Sequence, residues 1–215
     1  MYGNNNFTVI KNAVAGQNYL FDRLQREKYR KNYNIESSFV VGHIGRFAMP
    51  KNHSFLLDVF LEIRKKQDNS KLLLVGDGEL EDTIKAKAKQ LGIDDDVIFV
   101  GRRSDIGALM SAMDVFLLPS LFEGMPVVCV ECCANELPVV ISEESYAKEL
   151  DCLPNLSKFS LNQSPVEWAD FVLSLKYNEI QRGKQGMIDH CGYDISNIIG
   201  GLQKIYEKAR EEDVA

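Results

Sequence analysis

VFLLPSLFEGMPVVCVECCANELPVV, residues 115–140, is the stretch on which the fold turns. It opens on Val115-Phe116-Leu117-Leu118, an apolar run without alternation, which reads as a strand buried on both faces, as in a parallel sheet. Pro119-Ser120 ends the run, and Glu123-Gly124-Met125-Pro126 forms a turn. Pro126 suits the first position of a helix, where its missing N–H costs nothing. The helix is expected to reach Asn135, with Leu137-Pro138 and a second buried strand, Val139-Val140-Ile141, after it. A loop that leaves the carboxyl end of a parallel strand and feeds a helix N-terminus is where an anion binds.

The same alternation extends upstream. Phe39 to Gly45 reads as a strand, followed by a loop carrying Arg46 and Lys51 and a helix over 54–67, with Asn52 as its expected cap. Leu72 to Val75 is a buried strand leaving through Gly76-Asp77-Gly78, and a helix over 79–91 ends at Gly92. Val97 to Gly101 is a third strand, and Ser104 or Asp105 starts a helix running to Met113. Strand and helix in turn predict an α/β fold, a Rossmann-like doubly wound parallel sheet. At the ends the pattern is looser. Residues 7–10 read as a short strand, 19–32 as a basic amphipathic helix whose charged face is solvated or, as the alternative, meets an anionic membrane surface, 159–161 as a last strand, and 165–177 and 193–210 as helices.

A chain of 215 residues is long enough for one domain with a sizeable core. Its net charge of -6 argues against a broad basic surface for nucleic acid, so a phosphate ligand needs locally placed Arg or Lys. No apolar run approaches the roughly 18 residues needed to span a bilayer, and no signal-peptide pattern opens the chain, which places it in the cytoplasm. The odd cysteine count and the apolar surroundings of Cys129, Cys132 and Cys133 read as buried small side chains in a reducing compartment. Asp94-Asp95-Asp96 precedes a strand, the wrong edge of the sheet for a ligand, and reads as a solvated turn. His43, His53 and His190 are scattered, and Gly76-Asp77-Gly78 lacks the third glycine of a dinucleotide fingerprint; these glycines are expected to let the backbone pass close to a nucleotide.

Two carboxylates bracket the start of the helix after residue 126. Glu123 sits in the loop and Glu131 eight residues later, so their side chains address points on the order of 10 Å apart along one ligand. Between them lie the amides of the first helical turn. Carboxylate, amides, carboxylate suits an elongated ligand with hydroxyls at both ends and negative charge in the middle, which is the form of a sugar nucleotide. The bland alternative is two helix-dipole or surface glutamates.

Glu123 to Glu131, with Pro119-Ser120 before and Leu137-Pro138-Val139-Val140 after, resembles the Glu-x7-Glu motif of group 1 glycosyltransferases. The resemblance implies the C-terminal half of a GT-B fold and a transfer that retains anomeric configuration. It implies that Arg46 and Lys51 bind the donor diphosphate, Glu131 the ribose, and Glu123 the hexose as the catalytic carboxylate. Gly45, Gly101, Arg102, Gly124, Met125, Pro126 and Val127 complete the implied donor site, with Arg102 either beside the base or facing solvent. No cofactor or metal is implied, because Arg and Lys charges serve the leaving diphosphate. Asn12-Ala13-Val14 resembles the family's hinge turn, although the family usually has Asp next where this chain has Ala15-Gly16. The family has Ala-Cys-Gly where this chain has Ala134-Asn135-Glu136, so Asn135 is expected to supply the left-handed helix end.

These resemblances divide the chain into a hinge strand and basic linker helix (1–37), a nucleotide-sugar-binding domain (38–192) and a C-terminal crossing helix (193–215). They imply the donor-binding half of a hexosyltransferase of exopolysaccharide or capsule synthesis, using a UDP-sugar. Such a half is expected to be inactive without an N-terminal acceptor domain, in cis or in trans. It would meet the inner face of the cell membrane through a lipid-linked acceptor. Two other readings stay open: half of a GT-B-fold nucleotide-sugar epimerase, or a non-catalytic nucleotide-binding module.

Overall fold

The computed structural model describes residues 10, 12–177, 182 and 191–213. Six parallel strands form one sheet in the order β3-β2-β1-β4-β5-β6: β1 Phe39–Ile44, β2 Ser70–Val75, β3 Val97–Gly101, β4 Val115–Leu118, β5 Val139–Ser142 and β6 Leu156–Phe159. The helices are α1 Arg23–Asn32, α2 His53–Lys66, α3 Glu81–Gln90, α4 Ile106–Ala112, α5 Val127–Ala134, α6 Pro165–Tyr177 and α7 Ile195–Asp213.

The unbroken apolar strands are explained by their two covers. Val40, Leu73, Phe116 and Leu118 face one core with Leu109, Met110, Cys129 and Cys133 of α4 and α5. Their chain neighbours Val41, Leu72, Leu74 and Leu117 face another with Leu56, Phe60, Trp168 and Val172 of α2 and α6. Successive strand residues point to opposite faces, so a sheet covered twice needs an apolar side chain at every position. Each fully buried Leu, Val or Phe contributes roughly 1.5–3 kcal/mol. Gly42 of β1 leaves no room for a side chain: a Cβ there would lie 2.0 Å from Met113 Sδ.

From the central pair β1 and β4, the chain winds outward in opposite directions. Their carboxyl ends therefore flank the point where strand order reverses, the crevice in which such sheets take ligands. The glycines leaving β2 let the loop after β1 pass close to them. A Cβ on Gly76 (φ +139°) would sit 2.0 Å from Gly45 O, and one on Gly78 (φ +157°) 2.5 Å from Phe47 O.

Several boundaries differ from the sequence expectation. The helix expected from residue 19 starts at Arg23, because Asp22 Oδ1 accepts from Leu24 N and Gln25 N and ends the preceding turn. Its basic face is only partly solvated: Arg26 and Arg30 reach Asp114, 2.5 and 3.2 Å away. Asn52 does precede α2, but in a left-handed conformation (φ 52°) and without a side-chain cap. Asn135 is right-handed and Glu136 takes the left-handed position (φ 57°), since Asn135 Nδ2 is committed to Tyr19 O at 2.6 Å. Gly92 ends α3 as expected, at φ +69°.

The last strand is Leu156–Phe159, because Ser160 and Leu161 bond Trp168 and Glu144 instead of a strand. Helix α7 starts at Ile195, after a parallel bridge of Val14 with Asp194. Asp94–Asp96 is a single 3-10 turn in which Asp96 pairs with Arg64 and Lys71, so it is not simply solvated. The expected strand over 7–10 lies outside the described residues except for Ile10, which is in no element. Among the described residues no helix is long and apolar enough to cross a membrane.

Candidate functional site

The loop after β1 and the loop after β4 meet over the switch point, where Leu121 N bonds Pro50 O at 2.8 Å. That contact brings Lys51 Nζ to 2.7 Å from Glu123 Oε1, with the two side chains only 20% and 15% exposed. Ser120 Oγ donates to the same oxygen at 2.7 Å. Glu123 Oε2 bonds no described residue. Gly45 lies beneath the pair: a Cβ there would meet His43 Nε2 at 3.1 Å and Lys51 Cε at 3.2 Å.

Glu131 lies in α5, half-buried, and accepts from Tyr19 OH at Oε1, 2.9 Å away. Burial pushes its carboxyl above the ordinary value, and the Tyr19 bond opposes that shift. Burial and the carboxylate push the Tyr19 hydroxyl up to about 12. Of the amides at the start of α5, Val127 N and Cys129 N already bond Met125 O and Pro126 O, each at 2.9 Å. The amide cradle expected there is thus partly spent. Gly124 is exposed, with open space where a Cβ would be, Met125 and Val127 are half-buried, and Pro126 is buried.

The remaining candidates stand apart from the Lys51–Glu123 contact. Arg46 is exposed and pairs with Glu79 at 3.1 Å. Gly101 closes β3 with φ +74° and its carbonyl accepts from Gly76 N, while Arg102 follows it into solvent.

His43 and His53 are not scattered: their buried rings meet edge-on, 4.6 Å between centroids. Burial pushes His43 down to about 4 and His53 to about 2, so both are neutral. His43 Nδ1 lies 2.8 Å from Leu117 O and carries the proton, leaving Nε2 as a buried acceptor. Cys129, Cys132, Cys133 and Cys191 are buried and Cys152 is exposed, and burial pushes the Cys133 thiol up to about 12. No group of three or more His, Cys, Asp or Glu among the described residues could hold a metal ion.

Sequence reasoning missed two residues here. Ser120 appeared only as part of a Pro-Ser flank, and nothing local marked Tyr19, whose partner is 112 residues away.

Residues 25–151 match the family described as "Glycosyl transferases group 1", well over half of the chain. The chain belongs to the group 1 glycosyl transferases. This group 1 chain is 34% identical over 178 residues to the putative glycosyltransferase EpsF of Bacillus subtilis (strain 168), covering 81% of itself and 46% of that protein. It is 26% identical over 211 residues to the capsular polysaccharide biosynthesis glycosyltransferase CapH of Staphylococcus aureus, covering 90% and 58%. Anabaena Alr3699/HepE, solved in complex with UDP and glucose, superposes with a TM-score of 0.80 at 21% identity over 94% of this chain and 57% of that one. The C-terminal domain of a group 1 protein, LpcC of Francisella tularensis, is covered completely, with a TM-score of 0.69 at 20% identity. These likenesses show the fold, the Rossmann-like half of a GT-B glycosyltransferase. The group 1 chain spans about half the length of EpsF and CapH.

Proposed function

We propose that this chain is the donor-binding half of a retaining hexosyltransferase of exopolysaccharide or capsule synthesis, with a UDP-linked sugar as donor. The observation that carries this is the Lys51–Glu123 contact at the switch point of the sheet, with Glu131 on the helix that follows. As the sugar departs, negative charge builds on the diphosphate. A Lys51 ammonium already held over the crevice, and the Arg46 guanidinium, stabilise that charge in place of a metal ion. Arg46 is available because its pair with Glu79 is exposed and weakly held.

Glu123 Oε2 accepts from a hexose hydroxyl and faces the positive charge that develops at the anomeric carbon. Glu131 Oε2 accepts from the ribose, Gly45 and the 124–127 turn line the diphosphate, and Gly101 and Arg102 lie toward the base. An N-terminal acceptor domain, in the same chain or a separate one, completes the cleft in the cytoplasm at the inner face of the membrane. The UDP and glucose bound to Alr3699/HepE and the capsular polysaccharide role of CapH support this assignment.

Calorimetric titration with UDP is expected to show saturable binding without added metal. A chain that binds none of UDP, ADP and GDP would overturn the proposal.

A further inference from the structure

Building on the ribose assignment of Glu131, we infer that Tyr19 is a positioning residue that aims the Glu131 carboxylate at the ribose of the donor. Its hydroxyl donates to Oε1 at 2.9 Å, and Oε2 makes no hydrogen bond to a described residue. A carboxylate has about four acceptor sites on two oxygens, so one donor at Oε1 fixes its plane and leaves Oε2 for a diol.

The loop that carries Tyr19 is itself clamped. Asn135 Nδ2 donates to Tyr19 O at 2.6 Å, and Asp22 N donates to Ser111 Oγ at 3.2 Å. Gly107 of α4 admits the loop so closely that a Cβ would lie 2.3 Å from Asn18 O and 3.1 Å from Tyr19 Cα. The backbone that carries the phenol therefore cannot shift without disturbing α4 and the end of α5. Among the described residues, Glu131 in turn acts on the Cys129 and Cys132 thiols of its own helix, both held protonated by burial. No described cation offsets the burial of the carboxyl, and only the Tyr19 hydrogen bond does. A phenol carried on a backbone held this firmly favours one orientation of the half-buried carboxylate before any ligand arrives, and its hydrogen bond opposes the upward shift that burial imposes.

Tyr19→Phe removes the hydroxyl and keeps the ring, so an unchanged thermal midpoint certifies the fold. The test is calorimetry of wild type and variant with UDP and 2′-deoxy-UDP between pH 5 and 8. Wild type is expected to prefer UDP. The variant should bind UDP about five- to tenfold more weakly, with a smaller loss for the deoxy analogue. The acid limb of its UDP binding should move to higher pH than in wild type. Unchanged discrimination and an unchanged acid limb in Tyr19→Phe would overturn the role of Tyr19 while leaving the ribose assignment standing. Tighter UDP binding by the variant would overturn it too, marking the hydroxyl as an occupant of the ribose position. Wild type that fails to distinguish the two nucleotides would instead sink the ribose assignment, and this inference with it.

Discussion

Lys51 Nζ and Glu123 Oε1 lie 2.7 Å apart across the switch point of the sheet, although 72 residues separate them in the chain. Each is the other's only charged partner among the described residues, and both side chains are largely withdrawn from solvent. The pair joins the loops that follow β1 and β4. A diphosphate would compete for Lys51, and a sugar hydroxyl would approach the free oxygen of Glu123.

Removing either member leaves the other charge partly buried and unpaired. Lys51→Met and Glu123→Gln are each expected to lower stability by about 1–3 kcal/mol, less than for a fully buried pair because some solvent remains. Together they should cost less than the sum, with a coupling of at least about 0.5 kcal/mol. Urea denaturation of the four proteins measures this, and strict additivity would show that the contact does not form in solution.

Arg46 behaves differently because its partner is exposed. Arg46→Ala should leave the unfolding midpoint unchanged within error while weakening UDP binding about tenfold or more, with uridine little affected. Equal losses for the nucleoside and the diphosphate would remove Arg46 from the phosphate site.

The two glutamates of the motif should fail in different ways. Glu131→Ala is expected to weaken UDP and UDP-hexose alike, by about 1.5–3 kcal/mol. Glu123→Ala should spare UDP and weaken only the sugar nucleotide. Parallel titrations decide it, and a Glu123 variant that loses UDP as strongly as the UDP-hexose would contradict the hexose assignment.

Asp114 makes the acid limit of stability predictable. Burial pushes its carboxyl up, but Arg30, Arg26 and the Val40 N–H outweigh that and hold it below the ordinary 3.8. A carboxyl with a depressed folded pKa contributes stability that is complete above its unfolded value and is lost as pH falls through the folded one. The wild type should therefore lose stability below about pH 4. Asp114→Asn should be about 3–5 kcal/mol less stable at pH 7, where Arg30 is left buried without its counter-charge, and should lose less on acidification. Melting curves from pH 7 to pH 3 test both slopes.

The motif flanks, the strands and most helices were legible because their causes are local. Leu72 to Val75 and Val115 to Leu118 are apolar at every position, and the structure covers both faces of each. Gly92 ends α3 through its own left-handed backbone. In two places where a local rule failed, a distant contact had claimed the group it relied on. Asn135 was expected to turn left-handed, but its amide is committed to Tyr19, and Glu136 takes the strained position. The Arg-rich face of α1 read as solvated, yet Asp114, far along the chain, draws Arg26 and Arg30 inward.

By itself the sequence determined a parallel α/β sheet and the spacing of Glu123 and Glu131, because strand burial, turn chemistry and helix start are written in adjacent residues. Only the tertiary structure decided that Lys51 faces Glu123, that Arg46 faces Glu79, and that Tyr19 faces Glu131. The physical reason is that a side chain's partner is set by strand order and loop packing. Loops from β1 and β4 become neighbours only once those strands pair at the centre of the sheet, and no periodicity within either segment records that pairing.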